Sequence, residues 1–163
     1  MVTFARTTPP PKVKNSKTPF VALALAGLFI LMAVGQLYAF EEFVPLLTSF
    51  GLGGGEARAT VIASLLVTGE VFALPFLLRM HVSPLMRIVS MVAGWLVSVA
   101  WIYITVSVAL SVNAVNDAGF LGGALTLPFG WWSVAYVVLL ALLTAWVSWN
   151  MWPSLRVRAR SQK

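Results

Sequence analysis

Glu70 stands about midway along an otherwise apolar run at 59–78. A carboxyl group at that depth of a bilayer is the costliest residue choice in the chain. An acid at the centre of a spanning helix costs roughly 2.5–3.5 kcal/mol on insertion scales, so such a group faces protein or water and has a partner or a function. Two chemistries suit it: carrying a proton, and bonding the polar head of a lipophilic ligand. At 1.5 Å per residue it lies roughly 17 Å below the outer end of its helix, level with Ser98 and Trp101 on the next apolar run and with Thr144 on the last. Those three are its candidate partners, and the four together are the candidate ligand-binding or proton-carrying group. No lysine or arginine falls at that level, and desolvation then favours the neutral acid, so Glu70 is expected to be protonated. Gln36 lies only roughly 6 Å from the outer end of the first apolar run, so a direct bond to Glu70 would need a kink or an intervening water.

A second constellation sits at that outer end. Gln36, Tyr38, Glu41 and Glu42 precede the apolar stretch FVPLLTSFGLGGG, with Arg58 just beyond it. Two acids there could take up protons or a cation and Arg58 could pair with one of them, although adjacent helical residues do not face the same way. Other chemistry has little to stand on. His81 is the single histidine and there is no cysteine, which excludes a multi-histidine metal site, a bis-histidine haem within one chain, a disulfide and a thiolate relay. Met80, His81 and Met86 could touch soft Cu(I) but read more simply as interfacial residues, so no metal site is assigned. No glycine-rich phosphate cradle and no ordered nucleophile, base and orienting group are present, so the chain is not expected to catalyse a reaction alone.

The elements that must position these groups are clear. Of 163 residues 60% are hydrophobic and 10% charged, with a mean hydropathy of +0.90; soluble domains have roughly 45–50% and 25%. Four runs reach the roughly 20 residues that a membrane helix needs, at 19–40, 59–78, 88–112 and 131–152. The expected fold is an all-α integral membrane four-helix bundle at 19–152, between a disordered basic tail at 1–18 and a basic tail at 153–163. The first run is too long for a signal-peptide core and is expected to be retained. Lys and Arg concentrate before the first run, between the second and third at Arg79 and Arg87, and after the fourth, while Glu41, Glu42, Glu56 and Asp117 fall on the other side. The positive-inside rule then puts both termini in the cytoplasm of a multi-pass plasma-membrane protein, in a bacterium the inner membrane. The net charge of +6 is a topology signal with attraction to anionic lipid, and no folded basic surface is expected to bind nucleic acid.

Drawn at 100° per residue, the second run places Ala59, Ala63, Leu66, Ala73, Leu74 and Leu77 on the face of Glu70. The third carries Ser90, Gly94 and Ser98 at four-residue spacing, a small-residue seam continuing to Trp101 and Thr105. Both faces should turn inward. Trp101 and Tyr103, well inside the third run, need partners for their N–H and O–H groups. Trp131, Trp132, Trp149 and Trp152 mark the two interfaces. The stretches at 45–55 and 119–130 are too apolar for ordinary loops and are expected to lie on or dip into the outer interface, capping the bundle.

The segment GQLYAFEEFVPLLTSFGL, followed after a glycine-rich turn by ASLLVTGEVFALPFLL, resembles the DoxX-like and MauE membrane proteins. In those, a first span ends in a Gly-x-Lys-Leu type motif and the second carries a glutamate before a leucine-rich end. Glu70 would match that glutamate, and Gln36 stands where many members have lysine. The resemblance implies a four-span accessory subunit associated with a quinone-linked oxidoreductase, a thiol or oxidative-stress system or the maturation of an exported redox enzyme. An apolar aromatic interior with a buried acid fits this, since it could hold a quinone or lipid near Glu70. A proton-coupled transporter using Glu70 and a structural bundle without ligand are the alternatives, and a second copy of the chain is a further candidate partner.

Overall fold

The computed structural model describes residues 9–10, 13–51, 54–111 and 115–152. Its elements are all helical: α1 (Thr18–Tyr38), α2 (Phe40–Ser49), α3 (Gly55–Leu77), α4 (Pro84–Leu110) and α5 (Trp131–Asn150). Four of them, with 21, 23, 27 and 20 residues, are long and apolar enough to cross a membrane. Many of their outward side chains are large and bare, Phe20 (78% exposed) and Leu96 (65%) among them, a surface suited to hydrocarbon and not to water. The chain is a multi-pass membrane protein built as a four-helix bundle.

The long helices close a ring, with α1 beside α3, α3 beside α4, α4 beside α5 and α5 back beside α1. Helical periodicity chooses the inner faces: Ala22, Leu25, Ala26, Phe29, Met32, Ala33 and Gln36 on α1, and Val137, Leu140, Thr144 and Val147 on α5. The two expected seams meet. Ala59, Ala63, Leu66, Glu70 and Ala73 of α3 are buried, as are Ser90, Gly94, Ser98, Trp101 and Thr105 of α4. A Cβ added at Gly94 would come within 3.4 Å of Ala73 Cβ and 3.8 Å of both Phe29 and Thr144, so four helices converge there. Pro75 inside α3 removes a backbone donor and opens the ladder. The neighbouring Phe76 N–H donates to Ser90 Oγ of α4 at 2.8 Å, the kind of interhelical side-chain bond that lets proline persist in a membrane helix.

The described ends of the chain lie together. The Lys14 N–H donates to the Asn150 carbonyl (3.3 Å), Lys14 Nζ sits 5.2 Å from the Trp149 ring centre, and Arg87 Nη2 donates to the Pro9 carbonyl at 3.2 Å. The terminal end of the bundle thus holds part of the segment expected to be a free tail; the tail at 153–163 lies outside the described residues. Arg87 and Met86 belong to α4 and not to a loop. The helix starts at Pro84 because Ser83 caps it, its Oγ accepting the Met86 N–H at 3.2 Å, with proline in the first turn where no donor is missed.

The opposite end is capped by chain. Residues 40–49 form an extra helix, α2, whose Phe43, Val44 and Leu47 are buried while Glu41 and Glu42 remain exposed in its first turn, where the helix dipole favours acids. The 115–130 segment turns back on itself through Ala118 N–H to the Leu127 carbonyl (2.8 Å). Asp117 Oδ1 fastens it by accepting the N–H groups of Gly119 (3.0 Å) and Leu127 (3.1 Å). The described parts of both apolar stretches therefore cover this end of the bundle, as their composition implies.

Candidate functional site

Glu70 is wholly buried, and one of its oxygens is shared between two other helices. Glu70 Oε1 accepts from Gln36 Nε2 of α1 and from Trp101 Nε1 of α4, both at 3.1 Å. Gln36 Nε2 also donates to the Phe120 carbonyl in the cap, at 3.1 Å. One carboxyl thus ties α3 to α1, to α4 and, through Gln36, to the 119–130 segment.

The direct Gln36–Glu70 bond corrects the expectation drawn from depth along the backbone. Side chains on a helix lean toward its N-terminus. The N-terminus of α1 lies at the terminal end and that of α3 at the cap end, so the two side chains lean toward each other. Trp101, on a helix parallel to α1 and at nearly the same height, roughly 26 Å from the helix start, leans the same way as Gln36.

Trp101 itself is fully buried. Phe43 of α2 stacks on it at 6.5 Å and Phe120 meets it edge-on at 5.1 Å; Phe120 in turn packs on Tyr136 (4.8 Å) and Trp132 (6.0 Å). An aromatic column thus runs from the acid to the cap. Tyr103, expected to need an interior partner, is instead 65% exposed on the lipid side of α4.

Ser98 and Thr144 are buried but are not bonded to Glu70. Their hydroxyls lie 3.1 Å apart, and either can donate to the other. Each also lies within reach of its own helix, Ser98 of the Gly94 carbonyl (2.9 Å) and Thr144 of that of Leu140 (2.8 Å), so one O–H crosses between the helices while the other turns to its own carbonyl. They form a separate clasp between α4 and α5. The outer-face candidates are not gathered into a site: Glu41, Glu42 and Arg58 are exposed, Glu42 leaning over Gly123 and Arg58 laying its stem against Gly54. No group of three or more His, Cys, Asp or Glu suited to a metal occurs among the described residues.

Two contributors escape the sequence. Phe120 reaches Gln36 through its backbone carbonyl, which no residue type advertises. Asp117 reads only as an acid outside the membrane, although the Asp-x-Gly order is a turn signal that could have singled it out.

Glu70, Ser98, Trp101 and Thr144 line neither of two cavities at the bundle surface. The larger, about 680 Å³, lies between α3 and α4 and is walled by apolar groups including Leu65, Gly69, Phe72, Val92, Ala93 and Leu96. A smaller one of about 190 Å³ lies between α1, α5 and the cap, beside Met32, Phe120 and Tyr136. No family model, curated protein or solved structure matches the chain.

Proposed function

We propose that the protein is an integral membrane accessory subunit that holds a lipophile for a partner redox enzyme and performs no reaction of its own. The observation that carries this reading is the open α3–α4 cavity. Its volume of about 680 Å³ falls in the roughly 300–1,000 Å³ range of ligand pockets, and its wall is apolar. Several interior polar groups meanwhile hold helices together: Glu70 Oε1 through Gln36 and Trp101, Ser98 with Thr144, and Ser90 through the Phe76 N–H. The DoxX-like resemblance of the first half of the chain names the ligand class, a quinone, and the partner class, a quinone-linked or exported redox enzyme. The test is titration of the purified protein in detergent with a short-chain quinone, followed by tryptophan fluorescence. Saturable quenching is expected, and Ala93→Trp, which fills the cavity, should weaken it at least tenfold. Quenching that rises linearly with quinone and ignores Ala93→Trp would defeat the proposal.

One observation favours a second reading. Glu70 Oε2 is buried without a hydrogen-bond partner, as a proton-carrying carboxyl in a transporter would be. Proton-driven uptake in proteoliposomes that disappears in Glu70→Gln would support transport, and an accessory subunit should show none.

A further inference from the structure

Two oxygens are left over in the Glu70 network. Gln36 and Glu70 are both 0% exposed. Gln36 has committed both amide hydrogens, one to Glu70 Oε1 and one to the Phe120 carbonyl. Glu70 Oε1 accepts twice, from Gln36 and Trp101. What remains is Gln36 Oε1 and Glu70 Oε2, neither of which has a partner. Both are acceptors, on groups already joined by one bond, and buried polar atoms in folded proteins are nearly always paired.

A carboxylic acid has one O–H donor and an amide one carbonyl acceptor. An acid and an amide can therefore close a ring of two hydrogen bonds, amide N–H to acid carbonyl and acid O–H to amide carbonyl. The first arm is present at 3.1 Å. The two unpartnered atoms are the pair that the second arm requires. We propose that Glu70 and Gln36 form a closed acid–amide pair, with a proton on Glu70 Oε2 donated to Gln36 Oε1, and that this proton fastens the 119–130 cap to the bundle.

Among the described residues no charged side chain faces the pair; Glu56 and Arg58, in the first turn of α3, are exposed. Gln36 faces Glu70 from α1, Trp101 from α4 and Phe120 from the cap, while α2 contributes Phe43 behind Trp101. On α5 the Tyr136 hydroxyl donates to Met32 Sδ at 3.4 Å. The acids of the cap end are occupied or outside: Asp117 Oδ1 holds two backbone N–H groups, and Glu41 and Glu42 are exposed.

The link to the cap follows from the amide's fixed orientation. With the proton in place, Gln36 Oε1 must face Oε2, which turns its two N–H groups toward Glu70 Oε1 and the Phe120 carbonyl. Loss of the proton sets two oxygens against each other with no hydrogen between them. The amide then relaxes by turning, which withdraws the N–H from Phe120 and presents an oxygen to an oxygen. The cap has little room to follow, because it lies directly on α1: a Cβ at Gly122 would fall 2.5 Å from Gln36 Cα, and one at Gly35 3.0 Å from the Leu121 carbonyl. The proposal depends on this geometry and not on the lipophile reading, so either can fail alone.

Infrared difference spectroscopy of the full chain in lipid tests it. At neutral pH a protonated-carboxyl C=O band is expected that shifts in D2O, is absent from Glu70→Gln and moves to higher frequency in Gln36→Leu. Lack of such a band in folded wild-type protein, or a band indifferent to Gln36→Leu, would overturn the pair. Glu70→Gln keeps both arms as an amide–amide ring and should fold normally. It also allows a second measurement, hydrogen exchange at 118–122. Protection there should fall in wild type as pH is raised beyond the intrinsic acceleration, and hold in Glu70→Gln; equal behaviour of the two at every pH would overturn the fastening role.

Discussion

Gln36 Nε2 of α1 lies 3.1 Å from Glu70 Oε1 of α3, and the same nitrogen lies 3.1 Å from the Phe120 carbonyl of the cap. One amide therefore couples the intramembrane acid to the covering segment. The most expensive residue in the chain is held by groups from two other helices, and the polar interior works as a set of ties.

Trp101 combines a bond with a filler. In Trp101→Phe the N–H to Glu70 Oε1 is lost while a ring remains between Phe43 and Phe120. Hydrogen bonds within membrane proteins contribute about 0.6 kcal/mol on average and up to about 1.7, so a loss of about 1 kcal/mol is expected. Trp101→Ala also opens a cavity and should cost about 3–5 kcal/mol. Denaturation in mixed micelles would separate the two values.

Ser90 should matter because of Pro75. Its hydroxyl receives the N–H of Phe76, the residue directly after Pro75, in the turn that proline displaces. Ser90→Ala is expected to destabilise by about 1 kcal/mol. In a Pro75→Ala background, where that turn is no longer displaced, the same change should cost less than half as much. A double-mutant cycle reads this coupling, and additivity of the two changes would argue against it.

Glycines at the two packing seams should respond differently. A Cβ at Gly94 meets its nearest neighbour at 3.4 Å, an ordinary contact, whereas at Gly122 it meets the Gln36 backbone at 2.5 Å, with a φ of +64°. Gly94→Ala should be tolerated. Gly122→Ala should lift the cap from α1 and raise protease sensitivity at 115–130, and unchanged proteolysis would contradict the close packing described.

By the positive-inside rule the cap end is expected to face outside. Single cysteines replacing exposed Ser49 and Leu125 are expected to react with an impermeant maleimide added to whole cells or spheroplasts. One replacing His81 should react only after the membrane is opened. The reverse pattern would invert the topology.

The spans and their inward faces were legible because hydropathy and the 3.6-residue period act along single helices. Ala59, Ala63, Glu70, Ser90, Gly94, Ser98 and Trp101 all point inward as that period requires. The partners of Glu70 were legible only in part. Height along the backbone named Trp101 but placed it level with Glu70, whereas Trp101 stands near the height of Gln36. It set Gln36 too far away because it ignored the opposite lean of side chains on antiparallel helices, which brings both donors to the acid. It also offered Ser98 and Thr144, which are bonded to each other. The cap's role was visible in its apolar composition, but the Phe120 carbonyl that joins it to Gln36 is backbone and leaves no mark in a sequence. Tyr103 was misplaced because an aromatic residue deep in a span can as well face lipid.

The accessory role is tested most directly by purification from native membranes in a mild detergent, with mass spectrometry of the proteins and lipophilic small molecules retained. The account predicts a stoichiometric redox enzyme together with a quinone, the quinone being lost in Ala93→Trp. A clean preparation of this chain alone, free of both, would contradict it.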